Sequence, residues 1–109
     1  MTTLTVLGFD AATTRAAFVH VDDLGLSHAA NSGGFEALAN GPATCGSEMV
    51  PCPWFPEAAA MAAADPALDI GVHLTLNAEY ESYRWGPVLG AASVTSLVAA
   101  DGAFPQTVA

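Results

Sequence analysis

Val19-His20-Val21-Asp22-Asp23-Leu24-Gly25-Leu26-Ser27 is a short apolar run that breaks into two adjacent carboxylates and then a glycine. Ala16-Ala17-Phe18 extends the apolar run upstream, and a nearly continuous run of this kind is expected of a parallel strand covered on both faces. Such a strand delivers Asp22 and Asp23 to the rim of a sheet. Gly25 then supplies the turn, and Ser27 stands where a helix N-cap belongs.

Working outward, a helix is expected from His28 to about Ala39, with Phe35 and Leu38 inward and Asn40-Gly41-Pro42 as the stop. Gly33 and Gly34 inside it cost about 1 kcal/mol each relative to alanine, so close helix packing is expected to require their smallness. Ala43 to Val50 reads as a second strand, followed by the proline-rich loop Pro51-Cys52-Pro53-Trp54-Phe55-Pro56. Pro56 at a first helical position and Glu57 in the first turn open an alanine-rich helix that Asp65-Pro66 closes. Asp69 to Leu76 is the third strand: Ile70, Val72, Leu74 and Leu76 alternate with Gly71, His73 and Thr75. Next come an aromatic loop, Asn77 to Pro87, a short element near Ser96 to Val98, and a turn at Asp101-Gly102. Upstream, residues 1–15 form an N-terminal extension in which Leu4, Val6 and Leu7 fit a short helix or a strand ended by Gly8.

Strand, helix, strand, helix, strand is the order of an α/β domain whose parallel strands alternate with helices, with functional groups at the carboxyl ends of the strands. The 109 residues have room for one domain, and 52% hydrophobic content with 12% charged residues describes a globular chain. Two basic residues against 11 acidic ones give a net charge of −9, which repels nucleic acid and anionic membrane. No stretch has the length of a membrane span and no basic leader precedes an apolar segment, so the expected location is cytoplasmic. Cys45 and Cys52 match no common zinc module and are read as free thiols.

A carboxylate and an imidazole converging on one point suit a divalent cation, and a second carboxylate beside them could take a proton from water. Asp22, Asp23 and His73 are the candidates. Adjacent strand residues point to opposite faces, so both acids serve one site only if the chain turns at Leu24-Gly25. His20 reads as a hydrogen-bonded supporting residue, and Asn31 as a supporting or helix-start residue. Trp54, Tyr83 and Trp85 lie in loops where they either stack on a sugar ring or cap the hydrophobic rim. Glu48 faces the site or pairs with Arg84; the sequence leaves both open.

Val21-Asp22-Asp23-Leu24-Gly25-Leu26-Ser27, then Asn31, Met49-Val50-Pro51 and Gly71-Val72-His73-Leu74-Thr75-Leu76, resemble the YdjC-like carbohydrate deacetylases, relatives of the NodB polysaccharide deacetylases. Tyr83-Arg84-Trp85-Gly86-Pro87 and Asp101-Gly102-Ala103-Phe104 are similar to that family as well. The resemblance implies a (β/α) barrel, present here in part, and metal-dependent removal of an acetyl group from an N-acetylated sugar. It implies Asp22 as general base, Asp23 and His73 as ligands of a zinc or magnesium ion, and a further histidine ligand from a later part of the chain. No histidine follows His73 in this sequence. The expectation is therefore the N-terminal part of a longer deacetylase, incomplete by itself, with a homodimer as one way to cover an open sheet. The alternative is a non-enzymatic α/β module that binds a carbohydrate or a protein.

Overall fold

The computed structural model describes residues 2–108. In chain order it contains α1 (Thr3–Val6), β1 (His20–Leu24), α2 (His28–Asn40), β2 (Cys45–Glu48), α3 (Phe55–Ala64), β3 (Ile70–Val72) and two 3-10 turns, Ala91–Ser93 and Thr95–Leu97. The strands form one sheet in the order β1-β2-β3, parallel throughout. The expected α/β alternation is present, with α2 and α3 on one face of the sheet. Leu24 of β1, Phe35 of α2 and Ala58 of α3 are buried together there, with Val21, Leu38, Met61, Leu68 and Ile70 packed around them. A second buried cluster joins the loops beyond the strand ends: Met49, Cys52, Ala78, Trp85 and Phe104. No helix among the described residues is long and apolar enough to cross a membrane.

Ser27 caps α2 as expected, its hydroxyl accepting from the Ala30 amide. In α3, Pro56 follows Phe55 in the first turn, where its missing N–H leaves no carbonyl unpaired. The N-terminal segment resolves as the four-residue helix α1, capped by Thr2, with Val6 and Leu7 exposed.

All three strands are shorter than expected, β2 covering Cys45–Glu48 rather than Ala43 to Val50, because a strand extends only as far as its partner does. β1 begins at His20, not Ala16, because its register partner β2 begins at Cys45. Phe18 is consequently 86% exposed rather than covered on both faces. β3 pairs only over Ile70–Val72, since β2 ends at Glu48. His73 adds one more bond, its amide donating to Glu48 O at 2.9 Å. Beyond it Leu74 and Leu76 keep their alternation but carry no helix layer, at 88% and 59% exposure.

The glycine pair of α2 also divides. A Cβ on Gly34 would stand 2.5 Å from Leu24 Cδ2 and 2.9 Å from Val21 Cγ1, so the helix needs this glycine to settle onto β1 rather than onto another helix. A Cβ on Gly33 would meet nothing within 4 Å. Gly34→Ala is therefore expected to destabilise by about 1–3 kcal/mol through overpacking. Gly33→Ala is expected to stabilise by up to about 1 kcal/mol by restricting the unfolded chain and raising helix propensity. Urea unfolding of the two variants checks this, and effects of equal sign would refute the asymmetry.

Candidate active site

The two acids reach one place because of a local break in β1. Register slips between Val21 and Leu24, so that Val21 pairs with Gly46 and Leu24 with Glu48. Within this irregularity Asp23 has φ +64°, the left-handed region, which aspartate tolerates better than most residues but at a cost of about 1–2 kcal/mol. The turn expected at Leu24-Gly25 thus starts one residue earlier. It cancels the strand alternation that would have sent Asp22 and Asp23 to opposite faces.

His73 Nε2 lies 3.6 Å from Asp23 Oδ1 and 3.9 Å from Asp22 Oδ1. His20 Nε2 stands 3.2 Å from the same Asp22 oxygen and 2.9 Å from Ser47 Oγ, which itself donates to Asp22 Oδ1 at 3.3 Å. The Thr75 hydroxyl donates to His73 O at 2.9 Å, so its oxygen is free to accept from His73 Nδ1, 3.4 Å away. That arrangement leaves Nε2 unprotonated and turned toward the carboxylates, the tautomer a metal-binding imidazole adopts. Donors held at about 2.1 Å from a tetrahedral ion lie about 3.4 Å apart, so Asp23 Oδ1 and His73 Nε2 fit as two of its ligands. Among the described residues no group of three or more His, Cys, Asp or Glu side chains is arranged to hold a metal. The pair is a partial site.

A cavity of about 200 Å³ opens over Asp23 and His73, lined also by Met49, Thr75, Asn77 and Glu79. Thr75 could have been anticipated from its alternation with His73. Met49, Asn77 and Glu79 come in through the loops, which period-2 reading does not place. Asp23 and Glu79 also act on Cys52: burial first, then these two charges, push its thiol up to about 11.

Asn31 is fully buried and ties three segments together. Its Oδ1 accepts from the Gly25 amide at 2.6 Å, and its Nδ2 donates to Trp54 O and to Glu57 Oε2. Gly25 is left-handed, and a Cβ there would lie 3.1 Å from Phe55 Cα, so the chain after the acids passes directly under the start of α3. The hydrogen bond from Asn31, and then that from His28, hold the Glu57 carboxyl below its ordinary value. The supporting role read for Asn31 is thus a specific one: it fixes the turn that carries Asp23. His28, to which the sequence reading gave no role, is the second partner of Glu57 at 2.9 Å.

The aromatic residues separate. Trp85 is 3% exposed within the loop core, so of the two roles left open it takes the rim cap and presents no face to a sugar, which removes it from the candidate substrate-binding residues. Tyr83 packs against the same core, and its hydroxyl donates to Leu26 O. With Tyr80, Leu26 and Ser27 it lines a shallow apolar groove that the sequence did not single out. Trp54 is 42% exposed and lies beside His28, with ring centroids 5.5 Å apart. Arg84 does not pair with Glu48: it donates to Ala78 O and Phe104 O and pairs with Asp101 at 3.4 Å. Glu48 keeps one buried oxygen without a hydrogen-bond partner among the described residues, and burial raises its carboxyl above the ordinary value.

Residues 16–109 match the family model described as YdjC-like protein. The chain is 36% identical over 93 residues to a carbohydrate deacetylase of Thermus thermophilus, covering 85% of this chain and 30% of that protein. A carbohydrate deacetylase of Geobacillus stearothermophilus is 36% identical over 92 residues, covering 84% and 34% of the two chains. A crystal structure from Enterococcus faecalis V583, of a proposed cellobiose-phosphate cleavage protein, superposes with a TM-score of 0.71 at 34% identity, covering 83% of this chain and 33% of that one. The chain thus spans about a third of the length of these relatives.

Asn31→Ala leaves the Gly25 amide buried without a partner and is expected to cost about 1–3 kcal/mol in chemical unfolding. The depressed Glu57 carboxyl contributes stability that is present above its ordinary value of 4.5 and is lost as pH falls below it through the folded value. Glu57→Gln should therefore flatten the acid side of the stability-against-pH curve. An unchanged acid limb in that variant would show that Glu57 is not held in this way.

Proposed function

The chain belongs to the YdjC-like family, and from that membership we propose that it carries part of the active site of a metal-dependent deacetylase acting on an N-acetylated sugar. The observation that supports this most is the convergence of Asp22, Asp23 and His73 on one point through the left-handed turn at Asp23. Asp23 and His73 would hold the ion, zinc or magnesium. The chemistry expected of a divalent ion there is polarisation of the acetyl carbonyl and acidification of water.

Asp22 is the proposed general base, its Oδ1 taking the proton of the attacking water and passing it to the amide nitrogen as the C–N bond breaks, so that acetate and an amino sugar leave. His20 and Ser47 both contact that oxygen and fix its direction. In the cavity, Thr75, Asn77 and Glu79 offer hydrogen-bonding groups for sugar hydroxyls. The groove of Tyr80 and Tyr83 supplies an apolar wall for a ring, and the exposed Trp54 a further one. With a net charge of −9, neutral sugars are better accommodated than polyanions, which also speaks against nucleic-acid partners.

Titration calorimetry with zinc and with magnesium, on a chain extended to the length of its relatives so that a ligand beyond Asp23 and His73 can join, tests the site. One ion per chain is expected to bind, and His73→Ala should weaken that binding at least tenfold. Asp22→Asn should leave ion affinity within a few-fold while lowering acetate release from N-acetylglucosamine oligomers by about 100-fold or more, the scale of general-base catalysis. A folded chain that binds neither ion would contradict the assignment of Asp23 and His73. Binding without acetate release would favour the non-enzymatic carbohydrate-binding alternative.

A further inference from the structure

Cys45 and His20 open their strands side by side, paired in register on the sheet face away from α2 and α3, and neither residue is used in the deacetylation chemistry as a ligand or base. Cys45 Sγ lies 3.1 Å from His20 Nδ1. The other ring nitrogen faces Ser47 Oγ at 2.9 Å and Asp22 Oδ1 at 3.2 Å.

The direction of these bonds follows from what each group can donate. A carboxylate only accepts, so the Ser47 hydroxyl gives its proton to Asp22 Oδ1. Having spent its proton there, Ser47 Oγ can only accept from the ring, which places the imidazole proton on Nε2. Nδ1 is then an unprotonated lone pair aimed at the thiol, and the Cys45 S–H is its donor. A nucleophile, a base within hydrogen-bond reach and a third group orienting the base is the arrangement that activates cysteine in covalent chemistry. The second cysteine is a built-in contrast. Cys52 is 3% exposed, its sulfur has no hydrogen-bonded imidazole among the described residues, and its thiol is pushed up to about 11 by burial and by Asp23 and Glu79.

The geometry points to Cys45 as a modification site: a thiol that attacks small peroxides with His20 as its base. In that step Sγ attacks the distal oxygen of hydrogen peroxide while His20 Nδ1 takes the thiol proton. The S–O bond forms, the O–O bond breaks, and the departing hydroxide leaves as water after receiving that proton. Sulfur is oxidised by two electrons to the sulfenic acid and peroxide is reduced to water. This chemistry does not depend on the deacetylase reading. Its consequence does reach that site, because the product oxygen lies against the ring that also contacts Asp22.

The test is timed exposure of the full chain to hydrogen peroxide with a sulfenic-acid trap, read by peptide mass spectrometry at Cys45 and Cys52 separately. Cys45 is expected to be trapped at least tenfold faster than Cys52, and His20→Gln to slow Cys45 by about tenfold while Cys52 stays protected. If His20→Gln fails to fold, Cys52 reports it by becoming reactive, and the unsubstituted chain in concentrated urea provides the second comparison. A half-buried thiol without a base should react faster when unfolded, whereas Cys45 is expected to react faster folded than in urea at the same pH. Equal trapping of the two cysteines in the folded chain, no slowing in folded His20→Gln, or acceleration of Cys45 by urea would each overturn the proposal.

Discussion

A left-handed aspartate is a conformation that the surrounding structure has to enforce, and at Asp23 the enforcing contacts are visible. The Gly25 amide is held by Asn31 Oδ1, the Gly25 carbonyl accepts from the Trp54 amide, and the Leu24 carbonyl accepts from Met49. These bonds pull the chain after the acids under the start of α3, and Leu24 is driven to full burial against α2 at the same time. The local strain of about 1–2 kcal/mol is small beside the burial of one leucine and several satisfied backbone groups. Release of the Asn31 contacts would let the strand resume its alternation, and Asp22 and Asp23 would then diverge. Both the position of the acids and the packing of the first crossover rest on this one turn.

How much of this could be read beforehand depends on the range over which each feature is determined. Ser27 as an N-cap, Gly41 after α2, and Pro56 in the first turn of α3 are local chemistry, and each lies where the sequence places it. Strand existence was legible from the apolar runs, but strand extent was not, because the pairing partner decides it: Cys45 limits β1 and Glu48 limits β3. The convergence of Asp23 with His73 was legible as a pattern, whereas its means was not. A register slip depends on hydrogen bonds from Asn31 and Met49, which no periodicity within residues 19–27 encodes.

The aromatic residues show the same division. Tyr83 and Trp85 are two residues apart in a polar loop, and composition treats them alike. One keeps a hydroxyl on Leu26 O at the edge of a groove, while the other fills the space between Met49, Cys52, Ala78 and Phe104. What separates them is the Arg84 between, whose guanidinium reaches the carbonyls of Ala78 and Phe104 and so folds the later loops over Trp85. One of only two basic residues in the chain, Arg84 serves here as backbone cement.

Charge placement completes the picture of the site. With Arg84 committed to carbonyls and Asp101, and Arg15 donating to Thr14 O in the N-terminal segment, the acids of the cavity face no guanidinium or ammonium among the described residues. Asp22, Asp23 and Glu79 instead share their surroundings with histidines and hydroxyls, which can change proton position or accept a cation without first breaking an ion pair. A lysine or arginine salt-bridged to Asp23 would compete with a divalent ion for the same oxygen lone pairs. The paucity of basic residues, which at the level of composition disfavours polyanionic partners, therefore has a second meaning at the level of the site: it leaves the carboxylate oxygens open to the cation proposed for Asp23 and His73.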